Sequence, residues 1–482
     1  MGVELPAAFA EYTAALLGNE EYERLVEALA GEPPVSVRVN PAKWRLPESH
    51  AFEAVPWSAW GVYLPCRPSF TFDPLFHAGA YYVQEASSMF VEQVIRAYVK
   101  QPCVALDLCA APGGKSTLMR TLLPEGSLLV SNEVIRTRAQ VLAENMIKWG
   151  HPEVVVTNND PSDFGALPHL FDLVLADVPC SGEGMFRKDE EAVGEWSAAN
   201  VEVCWQRQRR IVEDIWRSLK PGGLFVYSTC TYNAYENEEN VRWIQQHFGA
   251  EVLPVPVQDG WGVQTDLTQS TSSLPVCHFI PSHTKGEGFF LALLRKPAAG
   301  KGPVAFEEES VIASVSSKDR KKQKQTKGGK ISPVPQGVER WLCRPEEVQL
   351  EVHGEHLVAF PKRSNALYEG LRERLRVLHA GILLAEQKGR DWIPHHALAM
   401  STCVNKEAFA VAELSLADAL AYLRREAVVL PATLPKGIVM LTYRRLPIGF
   451  AKNIGNRANN LYPQEWRIRS SHMPEGDLLW WE

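Results

Sequence analysis

LDLCAAPGGKST, residues 106–117, is the stretch on which the fold turns. A buried strand ends at Asp107, a loop of small residues follows, and a helix starts near Lys115. Ala110, Ala111, Gly113 and Gly114 let a ligand approach the backbone closely, and the first turn of the helix offers unpaired N–H groups to an anion. Three ligands suit such a loop. A dinucleotide calls for GxGxxG, which is missing. A phosphate loop calls for GxxxxGK[ST], and Cys109 stands where its first glycine belongs. The third is S-adenosylmethionine, whose methionine carboxylate can use the same amides.

The neighbouring strands favour the third. Glu133 ends the next strand, 20 residues after Gly113, where an acid reaches ribose hydroxyls. Asp160 ends the one after, placed to meet the adenine amino group. An acid at a strand end is also a common helix N-cap. Together with Asp107 they form a ladder along one sheet edge, for which an ATPase has no need.

Working outward, apolar strand runs alternate with helical stretches from about 76 to 297. The expected strands are VALDLC (104–109), SLLVSNE (127–133), EVVVTNND (153–160), FDLVLADV (171–178), LFVYSTC (224–230) and FFLALLR (289–295). Helices are expected over 136–149 and 206–219, and Pro221–Gly223 as the turn that feeds the fifth strand. Continuous apolar runs separated by helical crossovers imply an α/β domain, a parallel sheet with helices on both faces. Its ligands bind at the carboxyl ends of the strands.

Flanking this core, residues 1–75 form a mixed segment with SVRVNP (36–41) as a strand entering a turn. Residues 298–336 include KDRKKQKQTKGGK (318–330), a solvated basic linker that is also suited to RNA phosphates. A second region spans 337–415, uninformative in pattern, and 416–482, where KGIVMLTYRRLPIGFAKNIGNRANNLYP reads as strand, tight turn and strand.

Composition sets the outer bounds. With 45% hydrophobic and 22% charged residues the chain buries a sizeable core, and a net charge of −7 gives no global sign of nucleic-acid binding. Any RNA contact must come from local basic clusters. Nine cysteines without a CxxC pair argue against a disulfide framework or a structural zinc, so no metal is expected. No secretory signal and no membrane-spanning run is read, which leads us to expect a soluble, cytoplasmic monomer.

Two further loops carry sulfur. FDLVLADVPCSGEG (171–184) puts Asp177 at a strand end, followed by Cys180, and LFVYSTCTYNAYENEEN (224–240) does the same with Cys230. Both open on the edge that holds the cofactor loop. Carbon 5 of cytosine is too weak a nucleophile to take a methyl group unaided. A thiolate adding to carbon 6 makes carbon 5 enamine-like, which splits one hard step into easier ones. A free thiol has a pKa of about 8.5, so a cation or helix end must favour the thiolate. An acid such as Asp177 near cytosine N3 would steady the ring, and a second thiol could assist release. Residue chemistry leaves the two cysteines interchangeable. Cys109, at the strand-to-loop border, reads as a buried apolar side chain.

Here AAPGGK (110–115), DVPCSGEG (177–184) and YSTCTYNAYENE (227–238) resemble, over nearly the whole chain, the NOL/NOP/Sun family of RNA cytosine-5 methyltransferases, with length and tail similar to its bacterial RsmF branch. The resemblance implies a Rossmann-like methyltransferase core with a small α+β N-terminal domain and a C-terminal PUA-like RNA-binding region. It implies Cys230 as nucleophile and Cys180 in product release. Cys109, Ala110, Ala111, Pro112, Gly113, Gly114, Lys115, Glu133, Asp160 and Asp177 are implied to line the S-adenosylmethionine pocket. Val178, where the family usually has alanine, is a small apolar departure. SVRVNP and YYVQEASSM (81–89) resemble the family's N-terminal segment and its junction with the catalytic domain, with Arg38 and Gln84 as RNA or active-site contacts or, equally, structural residues. Gly449, Lys452, Arg457, Asn460 and Pro463 look like the PUA-like module, with Lys452 and Arg457 facing phosphates. The branch implies 16S rRNA or the small ribosomal subunit as partner. A tRNA substrate, or a non-catalytic ribosome-assembly role, are the alternatives.

Overall fold

The computed structural model describes residues 5–47, 52–268, 270–298, 334–470 and 479–481. The basic run at 318–330 lies outside them. At the N-terminus the helices Ala7–Leu17 and Asn19–Leu29 precede a three-stranded antiparallel sheet. Its strands are β1 (Val35–Val39), β2 (Gly61–Leu64) and β3 (Tyr81–Val83), in the order β2-β1-β3.

The catalytic core is built on β4 (Val104–Asp107), β5 (Leu128–Asn132), β6 (Val154–Thr157), β7 (Phe171–Asp177) and β8 (Leu219–Thr229), all parallel. After these come β9 (Glu251–Leu253), β10 (Cys277–Phe279) and β11 (Phe289–Arg295), giving the order β10-β11-β8-β7-β4-β5-β6 with β9 on β11. Side chains alternate between two apolar layers. Leu106, Val174, Phe225 and Phe290 enter one, and Ala105, Leu175, Val226 and Leu291 the other. Each strand is thus buried on both faces, which is why the sequence shows unbroken apolar runs.

Three expectations need correction. The sheet is mixed: β11 pairs antiparallel with β8, because the chain enters it through an antiparallel pairing with β10. An apolar run reports burial, not direction. Pro221–Gly223 is a bulge inside β8 rather than a turn before it; Phe171 faces Leu219 while Leu173 faces Leu224, and Gly222 takes φ +75°. The helix expected over 206–219 runs from Ala198 to Trp216, begun by the Ser197 side chain accepting from the Asn200 amide.

The C-terminal strands are β12 (Val348–His353), β13 (His356–Pro361), β14 (Val377–Ala380), β15 (Ile382–Lys388) and β16 (Asp391–Pro394). They are followed by β17 (Ala410–Glu413), β18 (Gly437–Tyr443), β19 (Leu446–Asn453) and β20 (Ala458–Asn460). β14 leaves its neighbours and adds antiparallel to β6 at the edge of the core sheet. The expected strand-turn-strand is β18 and β19, joined by Arg444 and Arg445, both at positive φ as a two-residue hairpin turn requires. Ile448 of the last sheet, β17-β18-β19-β20, and Leu420 and Tyr422 of the helix Leu416–Leu423 share one core with Val37, Val62 and Tyr81 of the N-terminal sheet. The two ends of the chain therefore pack on each other in one shared core. Among the described residues no helix is long and apolar enough to cross a membrane.

Candidate active site

Parallel strands deliver β4, β5, β6, β7 and β8 to one edge, and the loops that leave them build the site. After β4 the loop folds back under backbone control. The Leu108 amide donates to the Leu175 carbonyl (2.9 Å) and the Ala110 amide to Asn132 (2.8 Å). The Arg138 guanidinium and the Asn145 amide donate to the Ala111 and Pro112 carbonyls (3.0 and 2.8 Å). Gly113 takes φ +116° to start the helix Gly114–Leu122, and a Cβ there would press on Leu142 at 3.3 Å.

The residues present fit S-adenosylmethionine. Asp107 Oδ2 accepts from Ser116 Oγ (2.6 Å), while Oδ1 is buried without a partner among the described residues. Burial without a full set of donors pushes this carboxyl up to about 7, and a cationic or donor group placed there would relieve it. Glu133 Oε1 accepts from the Ile135 amide (2.9 Å), and among the described residues Oε2 meets only Arg138 at 3.5 Å, which leaves acceptor capacity for a diol. Cys109 is half-buried, and burial first, then Asp107 and Asp177, push its thiol up, in keeping with an apolar role. Asp160 is exposed and caps the turn Pro161–Ala166, its Oδ1 accepting from the Ser162 amide and hydroxyl (3.0 and 2.7 Å). These bonds hold its carboxyl below the usual range. Its helix-capping role is therefore observed.

The two cysteine loops meet beside this pocket. Cys180 Sγ and Cys230 Sγ lie 2.9 Å apart, and the Cys230 amide donates to the Cys180 sulfur at 3.2 Å. The bond to Cys230 and burial together push the Cys180 thiol well up, so it stays protonated. Both cysteines are free and half-buried. Asp177 takes Lys115 Nζ on Oδ2 (2.8 Å) and Ser228 Oγ on Oδ1 (2.8 Å). Burial opposes the Lys115 charge, yet Asp177 outweighs it and raises the ammonium; Cys230 acts in the same direction. One cation from the cofactor loop thus serves both the acid and the sulfur.

Sequence reasoning missed the frame behind these loops. Glu183 is fully buried and takes four donors: the Trp196 indole N–H (3.0 Å), the Asn233 side-chain amide (3.0 Å) and the Tyr232 and Asn233 backbone amides (2.8 and 3.0 Å). Glu236 takes the Ser181 amide (3.1 Å), Gln208 (2.6 Å) and Asn233 (2.8 Å). Desolvation pushes Glu236 up to about 7 against these donors. Their signal was present as acids in SGEG and NAYENE that no surface role explains. Gly184 is required because a Cβ would meet the Gly288 and Cys230 carbonyls at 2.6 and 2.9 Å.

Arg38 and Gln84 are buried inside the protein rather than set on an open surface. Arg38 is fully buried, donating to Gln84 Oε1 (2.7 Å), Thr117 Oγ1 (2.6 Å) and the Gly114 carbonyl (3.2 Å) over the Trp149 ring. It ties β1 to the cofactor helix instead. Lys452, on β19, is half-exposed, Arg457, in the turn before β20, is exposed, and neither is part of the cysteine site.

Fold and site define a Rossmann-like methyltransferase whose donor is S-adenosylmethionine. Models of three domains match the chain: "16S rRNA methyltransferase RsmB/F" over 99–295, "N-terminal domain of 16S rRNA methyltransferase RsmF" over 5–86, and "Methyltransferase RsmF PUA domain" over 409–468. A ribosomal RNA small subunit methyltransferase F of Erwinia tasmaniensis is 30% identical, covering 96% of this chain and 97% of its own. Its Escherichia coli counterpart is 34% identical over 80% of this chain and 78% of its own. The crystal structure of a methyltransferase homolog from Pyrococcus horikoshii, 28% identical, covers 61% of this chain and 96% of its own with a TM-score of 0.53. The chain belongs to the RsmF family of RNA methyltransferases, as its motifs lead one to expect.

Proposed function

We propose that the chain methylates carbon 5 of a cytosine in 16S rRNA, in the cytoplasm and as a monomer, through a covalent bond from Cys230 Sγ to carbon 6 of the ring. The observation that carries this reading is the pairing of Cys180 and Cys230 at 2.9 Å next to the Lys115–Asp177 ion pair. The family and the relatives named for the small subunit support the RNA assignment.

Lys115, held by Asp177, places a positive charge near the Cys230 sulfur that attacks. Asp177, held by Lys115 and Ser228, faces the ring and steadies charge as carbon 6 bonds to sulfur and electron density moves to carbon 5. S-adenosylmethionine, when bound, supplies an electrophilic methyl group for that carbon. The proton of carbon 5 must then leave so that the Cys230–carbon 6 bond can break and return the electron pair to the ring. Cys180, kept as a thiol, gives its proton to the departing Cys230 sulfur, and the Cys180 thiolate so formed takes the proton from carbon 5, so both cysteines end as thiols. Glu133 and the loop Cys109–Lys115 hold the donor, with Asp160 at its rim. Lys452 and Arg457 dock phosphates.

Bisulfite sequencing of 16S rRNA from cells with and without the gene tests this. A protected cytosine present only with the gene, and lost with Cys230→Ala, is the expected result. Identical profiles in the three strains would defeat it.

A further inference from the structure

A cavity of about 380 Å³ lies away from the cofactor loop, between the helix Ala7–Leu17, the helix Ala198–Trp216 and the loop after Cys230. Tyr12, Trp196, Trp205 and Tyr235 wall it, with Glu202 and Glu239 among its lining. We propose that it receives an unstacked guanine of the substrate RNA, a neighbour of the target cytosine, and this rests on the RNA-methylating role proposed above.

The walls are fixed in advance. Tyr12 and Tyr235 stack with ring centres 5.5 Å apart, and Tyr12 Oη accepts from the Ala234 amide (2.9 Å). The Trp196 indole donates to Glu183 (3.0 Å). The Arg209 guanidinium sits over Trp205 at 4.1 Å and over Trp243 at 5.0 Å, holding the Trp205 ring between elements. Tyr235 and Val203 remain half exposed nearby, at 46% and 52%. Flat aromatic walls that need no rearrangement suit a planar ring, since any base stacks on an aromatic face.

Charge narrows the ligand. The cavity lining contains carboxylates and no Lys or Arg, so it does not suit a phosphate. Glu183 has both oxygens occupied, but Glu202 and Glu239 are exposed. Among the described residues the Glu239 side chain accepts no hydrogen bond. A carboxylate offers two parallel acceptors. Guanine alone presents two adjacent donors, N1–H and the 2-amino group, on its pairing edge, whereas adenine and cytosine present one donor beside an acceptor.

Position links the cavity to catalysis. Its floor includes Glu183 and Asn233, three residues beyond Cys180 and Cys230 respectively, and both belong to the network that holds the two loops. A base seated here would press on the frame of the cysteine pair while a nearby base occupies the site.

The test is fluorescence anisotropy of labelled UUUGUUU, with inosine, adenosine and cytidine versions, against the full chain and no methyl donor. Loss of one stacked base corresponds to roughly tenfold or more in affinity. The guanosine probe, able to make two parallel hydrogen bonds to a carboxylate, should bind about tenfold tighter than the adenosine and cytidine probes. Inosine, lacking the 2-amino group, should fall between. Trp205→Ala and Tyr235→Ala should bring the four within about twofold, and Glu239→Gln should erase the guanosine–inosine difference. Unchanged circular dichroism guards against misfolding, and Tyr235→Ala, being half exposed, serves if Trp205→Ala does not fold. Absence of a guanosine preference, or a preference intact in the folded variants, overturns the proposal and leaves the cavity to a protein segment. Methyl transfer to 16S rRNA, measured in parallel, shows separately whether the catalytic reading stands.

Discussion

The amide of Cys230 donates to the sulfur of Cys180 while the two sulfurs lie 2.9 Å apart, so the second cysteine is tied to the first through both backbone and side chain. That tie makes their roles unequal. Cys180 is kept protonated by burial and by its bond to Cys230, whereas the cation Lys115 acts on Cys230. Cys180→Ala should therefore still attack RNA but release it slowly. A protein–RNA adduct resistant to denaturing gel electrophoresis is expected with Cys180→Ala and not with Cys230→Ala. The opposite pattern would exchange the two assignments.

Asp177 is the link between cofactor loop and ring. Asp177→Asn weakens the bond to Lys115 and the charge facing the base. Methyl transfer to rRNA should drop by about 10²–10⁴-fold, the range for a positioned acid or base. Calorimetric titration with the donor separates this from loss of cofactor binding; donor affinity reduced by the full factor would make Asp177 a binding residue only.

Glu183→Ala should be costly far beyond its size. Four donors inside the protein would lose their acceptor, and the cost is about 3 kcal/mol or more. The midpoint of urea unfolding should fall by a corresponding amount, and activity should fall with it as the cysteine loops separate. A variant as stable as the parent would mean that water replaces the carboxylate.

Much of this site was legible before the structure. Asp107, Glu133, Asp177 and Cys230 sit at strand ends because apolar runs of defined length stop there, and small residues announce the loops between. What escaped was direction and depth. FFLALLR looks the same parallel or antiparallel, and Pro221–Gly223 looks the same as a turn or a bulge. Arg38 carries the signature of an RNA contact, yet its guanidinium is absorbed by Gln84, Thr117 and Gly114, partners 46 to 79 positions away. β14 joins the core sheet from more than 200 residues downstream of its partner β6, a pairing with no local trace.

Gly449→Ala addresses the C-terminal module. Gly449 takes φ +146°, and a Cβ would come within 2.0 Å of Tyr422 Oη. The added methyl must displace Tyr422 or its bond to the Phe450 carbonyl (3.1 Å), at about 1–3 kcal/mol. Thermal unfolding should begin earlier, and rRNA affinity should fall while donor affinity is kept.

Acid should destabilise the fold through its histidines. Burial lowers His77 and His151 to about 3 and His379 and His395 to about 4, and His396 lies well below its ordinary value. Each is neutral when folded and protonated when unfolded below pH about 6.5, so each removes about 1.4 kcal/mol per unit as pH falls toward its folded value. Asp107 and Glu236, raised to about 7, work in the opposite sense, favouring the fold as pH falls from 7 toward their unfolded values. Five groups outweigh two. The melting temperature should decline from pH 6.5 to pH 5, and a flat or rising profile would contradict these burial assignments.

The most direct test uses 16S rRNA transcribed with 5-fluorocytidine, which cannot lose a proton from carbon 5 and so should hold the enzyme after methyl transfer. Digestion and mass spectrometry of the trapped complex should place a methylated fluorocytidine on the peptide containing Cys230. A complex joined through Cys180, or no covalent complex from an active preparation, would contradict the account.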